Sequence, residues 1–88
     1  MQIKAKICRL REDGRAVKAT LTMRYGELVI TGMRLVQLPD GRIRLVFPDR
    51  KQGGKYVNVC YPMTEALMNE MEEEALRAYE EAKKGKGL

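Results

Sequence analysis

The chain lacks histidine, serine and tryptophan altogether, and it contains only one phenylalanine and two cysteines. Without histidine or serine, the most common general base and the hydroxyl nucleophile of serine hydrolases are missing. Cys8 and Cys60 form no Cys-x-x-Cys pair, so the usual zinc sites have no ligands, and no activating base is suggested for either thiol. We therefore predict a non-enzymatic protein with no cofactor, no metal and no small-molecule substrate.

Long hydrophobic runs are also missing, so no segment has the length of a membrane span. The chain of 88 residues predicts one domain with a modest core. The apolar–polar alternation typical of a strand begins at Met1-Gln2-Ile3-Lys4 and leaves no room for a signal peptide. We expect a cytoplasmic protein with reduced cysteines, a single domain over residues 1–84 and a basic flexible tail at 85–88.

Positive charge is concentrated in the first two-thirds of the chain. Residues 1–58 carry 13 Lys and Arg against 5 Asp and Glu, whereas residues 59–88 carry 4 against 7. This asymmetry predicts a cationic surface on one structural layer and an acidic element turned elsewhere.

Alternation of apolar and polar residues with a period of two predicts five half-buried strands. They cover residues 2–10, about 16–25, 28–38, 42–47 and about 55–61. Turns rich in Asp and Gly separate the first four strands, at Glu12-Asp13-Gly14-Arg15, Tyr25-Gly26-Glu27 and Pro39-Asp40-Gly41-Arg42. Gly32 lies inside the third strand and predicts a bulge there.

The apolar period changes to 3.6 from Thr64, which predicts a helix capped by that side chain. The fold class is therefore α+β: a five-stranded antiparallel β-meander sheet followed by one C-terminal α-helix. One helix covers only one face of such a sheet. The opposite face meets either water or a second subunit, and a long free edge favours a homodimer.

A cationic, glycine-containing loop follows Pro48. Arg50, Lys51 and Lys55 flank Gly53-Gly54, and glycines leave such cations uncovered. Cations of this kind can contact the phosphates of a nucleic acid. Arg42 and Arg44 are second-line candidates because they lie on the strand that leads to this loop. The alternative is an ordinary solvated hairpin tip.

Four segments together resemble the stage V sporulation protein G (SpoVG) family of bacterial sporulation and septation regulators. They are Leu10–Ala19, Leu28–Val36, Phe47–Lys51 and Tyr61–Met63. The resemblance implies a curled antiparallel sheet with a C-terminal helix, a homodimer, and binding of DNA and RNA through a basic pair that matches Arg50 and Lys51. Asp49 stands where the family usually has a small polar residue, and an acid beside two cations lowers the local potential.

The expected function is thus that of a dimeric nucleic-acid-binding regulator, with no membrane contact. The alternative function is a protein-interaction adaptor in cell division or sporulation, whose basic sheet meets an acidic protein.

Overall fold

A computed structural model describes residues 2–11 and 14–86 of the chain. The first four strands, which form one antiparallel sheet in chain order, are β1 (Ile3–Leu10), β2 (Val17–Tyr25), β3 (Leu28–Gln37) and β4 (Ile43–Val46). A separate two-stranded sheet follows, consisting of β5 (Asp49–Gln52) and β6 (Lys55–Asn58). The chain ends in one helix, α1 (Glu65–Lys86).

This architecture confirms an α+β fold, but a single five-stranded sheet is not matched. The segment predicted as the fifth strand of the sheet pairs with residues 49–52 instead of with β4. Those four residues, Asp-Arg-Lys-Gln, carry no apolar side chain and so give no alternating pattern. The second sheet is therefore a local hairpin appended to the main one.

The inner face of the sheet holds the core. Its fully buried side chains come from the two central strands and include Leu21, Met23, Met33 and Leu35. The apolar stripe of α1 packs against them, with Met71, Ala75 and Tyr79 buried in the same cluster. The alternation of the strands and the 3.6-residue period of the helix thus meet in one core.

The turns and caps follow the residue types that the sequence offers. Gly26 and Gly41 adopt positive φ angles of 61° and 94° in the turns after β2 and β3. Thr64 caps α1, since its Oγ1 accepts the backbone N–H of Leu67 at 3.1 Å. The predicted turn at Glu12-Asp13-Gly14-Arg15 includes two residues outside the described ranges. Of the predicted tail, residues 85 and 86 belong to α1, and 87 and 88 lie outside the described part.

Gly32 forms the predicted bulge in β3. Its φ is +76°, and the β2–β3 register shifts between Leu21 and Met23, which face Met33 and Ile30 respectively. A Cβ at residue 32 would lie 3.7 Å from the Cβ of Pro48. The bulge therefore adjoins the segment that leads into the β5–β6 hairpin.

Two glutamates of α1 cap the two outer strands of the sheet. Oε2 of Glu74 accepts the backbone N–H of Ala5 in β1 at 2.8 Å, and Oε2 of Glu72 accepts that of Leu45 in β4 at 3.2 Å. Residues two apart on a helix point to nearly opposite flanks. The helix consequently lies across the inner face of the sheet and bonds to both of its outer strands.

Glu74 is held in its ionised form by several partners. The guanidinium of Arg77 donates to both of its oxygens at 2.8 Å, and this lowers the pKa of Glu74 below its usual 4.5. Partial burial opposes the shift, while the Ala5 N–H and the charge of Lys4 add to it. The same contact raises the pKa of Arg77, so the pair stays charged.

Candidate nucleic-acid interface

The cationic loop predicted after Pro48 is a two-stranded ribbon. The two residues that connect β5 to β6, Gly53 and Gly54, have φ angles of 59° and 83°. Positive φ at both positions is the type I′ geometry that matches the twist of a hairpin, and glycine adopts it without a Cβ penalty. Every residue of both strands is exposed. The ribbon thus projects all its side chains into solvent.

The register divides the ribbon's cations between two faces. Arg50 lies opposite Val57 and Lys51 opposite Tyr56. Residues directly opposite in a hairpin share a face, and successive residues of one strand alternate. Lys55, which lies opposite Gln52, is therefore on the face of Arg50. The basic pair does not form a single cluster, because Arg50 and Lys51 point to opposite sides.

Asp49 does not neutralise its basic neighbours. Its Oδ2 accepts Nη2 of Arg34 on β3 at 3.3 Å. Within the described ranges, Arg50, Lys51 and Lys55 make no ion pair with any carboxylate. Asp49 thus joins the ribbon to the sheet, and the three cations remain available.

The base of the ribbon is fixed by a second contact. The backbone N–H of Val59 donates to the carbonyl oxygen of Pro48 at 2.7 Å and so closes the hairpin below its last ladder pair. Together with the Gly32–Pro48 approach and the Asp49–Arg34 pair, this contact orients the ribbon relative to β3.

The two second-line candidates are placed differently. Arg42 makes an ion pair with Asp40 in its own turn at 2.8 Å. The Nε of Arg44 donates to Oε2 of Glu72 at 3.0 Å, so this side chain reaches toward the helix. Both cations are exposed, but each is already paired. Arg42 and Arg44 therefore differ from the ribbon cations, which have no ion pair in the described structure.

Sequence reasoning left out cations of β1 that the structure places on the outer face of the sheet. Lys4 lies opposite Arg24, Lys6 opposite Thr22, and Arg9 opposite Thr20. Lys4 and Lys6 are exposed while Ile3, Ala5 and Ile7 turn to the core. The alternation of the first strand was the signal that could have identified them, since residues facing away from the core must line the other face.

An apolar cleft opens between the turn after β2 and the start of α1. It measures about 300 Å³ and is lined mainly by apolar and aromatic side chains, among them Leu28, Ile30, Phe47, Tyr61 and Met63. Cys60 lines the same cleft as a free thiol, and Cys8 is a free, exposed thiol on the sheet. At the rim, Tyr61 and Met63 are 68% and 93% exposed.

Neither models of known protein families nor curated proteins give a match to this chain. Among the described residues, no three His, Cys, Asp or Glu side chains are grouped to hold a metal ion. In the same part of the chain, no helix is long and apolar enough to cross a membrane.

Proposed function

We propose that the chain is a small cytoplasmic regulator of the sporulation and septation type that binds DNA or RNA through the β5–β6 ribbon. The observation that carries this proposal is the exposure of Arg50, Lys51 and Lys55 on an anchored hairpin, without a carboxylate partner in the described structure. The resemblance of four segments to the SpoVG family supports the same function.

The physical basis of binding is phosphate neutralisation. Lys and Arg side chains that contact phosphates release condensed counterions, which gives affinity together with strong salt dependence. A ribbon fixed at its base presents such groups in a defined place, so less entropy is lost on binding than from a flexible loop. The formal charge of +5 adds a long-range attraction for polyanions.

The proposed regulator is a homodimer. Glu72 and Glu74 already occupy backbone N–H groups on the outer edges of β4 and β1. In the described sheet, residues 28–30 of β3 pair only with β2, because the pairing with β4 begins at Arg34. Leu28 and Val29 in this segment are 59% and 55% exposed. Strand pairing between two copies at this segment would double the number of ribbons, which suits binding to an extended polyanion.

The test is a titration of labelled duplex and single-stranded oligonucleotides at low and raised salt. The wild type should bind and lose affinity steeply with salt, and the variant Arg50→Ala/Lys51→Ala should lose most of the binding. Lys83→Ala/Lys84→Ala is the matched control, since it removes two adjacent cations from α1 and changes the net charge equally. An equal loss of affinity in both variants would mean that binding depends on net charge and not on the ribbon. No binding by the wild type would refute the proposal.

A protein-interaction adaptor is the second candidate, and the apolar cleft favours it. Leu28, Tyr61 and Met63 expose apolar surface around one opening, as docking sites for partner proteins do. In this case oligonucleotides would fail to bind, while substitution of Tyr61 or Met63 by a charged residue would abolish capture of the partner.

A further inference from the structure

The outer face of the sheet carries a cationic cluster, here called the outer triad: Lys4, Lys6 and Arg24. Lys4 lies directly opposite Arg24 on the neighbouring strand, and Lys6 occupies the adjacent diagonal position. All three side chains are exposed, and in the described structure none forms an ion pair. The charge of Lys4 acts on Glu74, which is already bonded to Arg77 and Ala5.

This arrangement is unfavourable for the isolated protein. Like charges directly opposite on neighbouring strands destabilise a sheet. Most carboxylates of the described chain belong to α1, which packs on the inner face, and among them Glu74 interacts electrostatically with Lys4 but is bonded to Arg77 and Ala5. Within the described structure no carboxylate forms an ion pair with the triad, so the face is open to an anion from another molecule.

The outer triad is continuous with the ribbon. Thr20 of β2 lies between Arg9 of β1 and Arg34 of β3, so cations extend across the same face of three strands. Arg34 then bonds Asp49 at the base of the ribbon. Lys51 and Tyr56 lie on the ribbon face of Asp49, as the alternation along β5 and the Lys51–Tyr56 pairing require. The outer face therefore adjoins the ribbon through the Arg34–Asp49 ion pair, with Arg9 on one side of that pair and Lys51 on the other.

We propose that this outer face is a second phosphate-binding surface, which contacts the backbone of the same nucleic acid that the ribbon holds. The inference rests on the proposed function and extends it, since it makes the sheet itself part of the binding site. Tyr56 favours a nucleic acid over an acidic protein, because this residue is 73% exposed opposite Lys51 and its ring can stack on a base.

The experiment measures the slope of log affinity against log salt concentration for an oligonucleotide long enough to cross the sheet. Each lost phosphate contact makes the slope less negative by about 0.7 to 0.9, depending on whether the strand is single or paired. The variant Lys6→Gln/Arg24→Gln should therefore reduce its magnitude by about 1.5 relative to the wild type. Lys83→Gln/Lys84→Gln on α1 is the control of equal charge and should keep nearly the full slope.

Three results separate the two proposals. If the slope is unchanged in the triad variant but becomes less negative in Arg50→Ala/Lys51→Ala, the ribbon binds and the inference about the outer face is wrong. If the slope becomes less negative in the triad variant and stays unchanged in the ribbon variant, the outer face binds nucleic acid without the ribbon, which refutes both the ribbon's role and the joint binding that we infer. If the wild type binds no oligonucleotide, both proposals fail.

Two controls protect the interpretation. The triad variant should unfold at the same temperature as the wild type or higher, because it removes repulsion, so lost binding cannot reflect lost folding. Polyglutamate of equal total charge should compete poorly with the oligonucleotide. Competition at equal concentration would reassign the face to an acidic protein and overturn the inference.

Discussion

The carboxylate of Glu74 accepts the backbone N–H of Ala5 across 69 positions of the chain. Glu72 makes the corresponding bond to Leu45 on the other side of the helix. An exposed edge strand is a template for unwanted pairing, and natural sheets block such edges. The acidic run Glu72-Glu73-Glu74 is therefore partly structural, since its first and third members each occupy one edge of the sheet.

Replacing Glu74 should destabilise the fold, whereas replacing its neighbour should not. In Glu74→Ala, the N–H of Ala5 and the guanidinium of Arg77 lose their shared partner. A hydrogen bond to a charged group contributes about 1.5 to 3 kcal/mol, so we expect a loss in that range from urea unfolding. Glu73→Ala, at an exposed position, should change the free energy of unfolding by less than about 0.5 kcal/mol. Equal effects would contradict the capping role.

The contribution of Glu74 should depend on pH in one direction. Its pKa is lower in the folded state than its usual 4.5. The unfolded state therefore binds protons more readily as the pH falls, and the stability that Glu74 provides is present above its unfolded pKa and is lost as the pH falls through its lower folded pKa. The difference in unfolding free energy between wild type and Glu74→Gln should be constant from about pH 6 to 8 and shrink below about pH 5. A difference that grows on acidification would refute this assignment.

The ribbon should be separable from the core. Gly53 has a φ of +59°, and a left-handed conformation costs other residues about 1 to 2 kcal/mol. Gly53→Ala should therefore weaken the cross-strand NMR contacts between Arg50 and Val57. The melting temperature should hardly change, because no residue of 49–58 belongs to the core cluster. Gly53→Asn should preserve the hairpin, since Asn tolerates positive φ. A melting temperature that falls with the hairpin would show the two sheets to be one cooperative unit.

Burial should separate two methionines of equal size. Met33 is fully buried in the sheet, whereas Met63 is 93% exposed at the rim of the cleft. Met33→Ala should cost about 2 to 5 kcal/mol by leaving a cavity in the core. Met63→Ala should cost less than about 0.5 kcal/mol. Denaturant unfolding measures both, and a large loss at Met63 would mean that the cleft is covered in solution.

Much of the main fold could be predicted because its signals are local. Alternation of apolar and polar residues with a period of two predicted β1 to β4, and the Asp-Gly and Gly-Glu turns predicted the boundaries between them. Thr64 predicted the start of the helix. Gly32 predicted the bulge, because a glycine inside a strand weakens the strand and often marks a bulge. Each of these signals depends on residues a few positions apart.

The features that the sequence did not predict join residues far apart in the chain or lie in a segment without apolar–polar alternation. β5 has charged and polar residues on both of its faces, so no alternation distinguishes it from a loop. The capping by Glu72 and Glu74 joins residues far apart in sequence, which no local pattern encodes. In the sequence, Asp49 is the acidic neighbour of Arg50 and Lys51. The fold shows that it forms its ion pair with Arg34 instead, which lies 15 positions earlier in the chain.

The alternation within β5 limits what kind of contact its adjacent cations can make. A flat ligand lying against the hairpin would reach either the guanidinium of residue 50 or the ammonium of residue 51. Both can be engaged at once only where the binding molecule wraps around the tip, as the walls of a nucleic-acid groove do. Single substitutions at the two positions therefore distinguish a ligand that lies alongside the hairpin from one that encloses it.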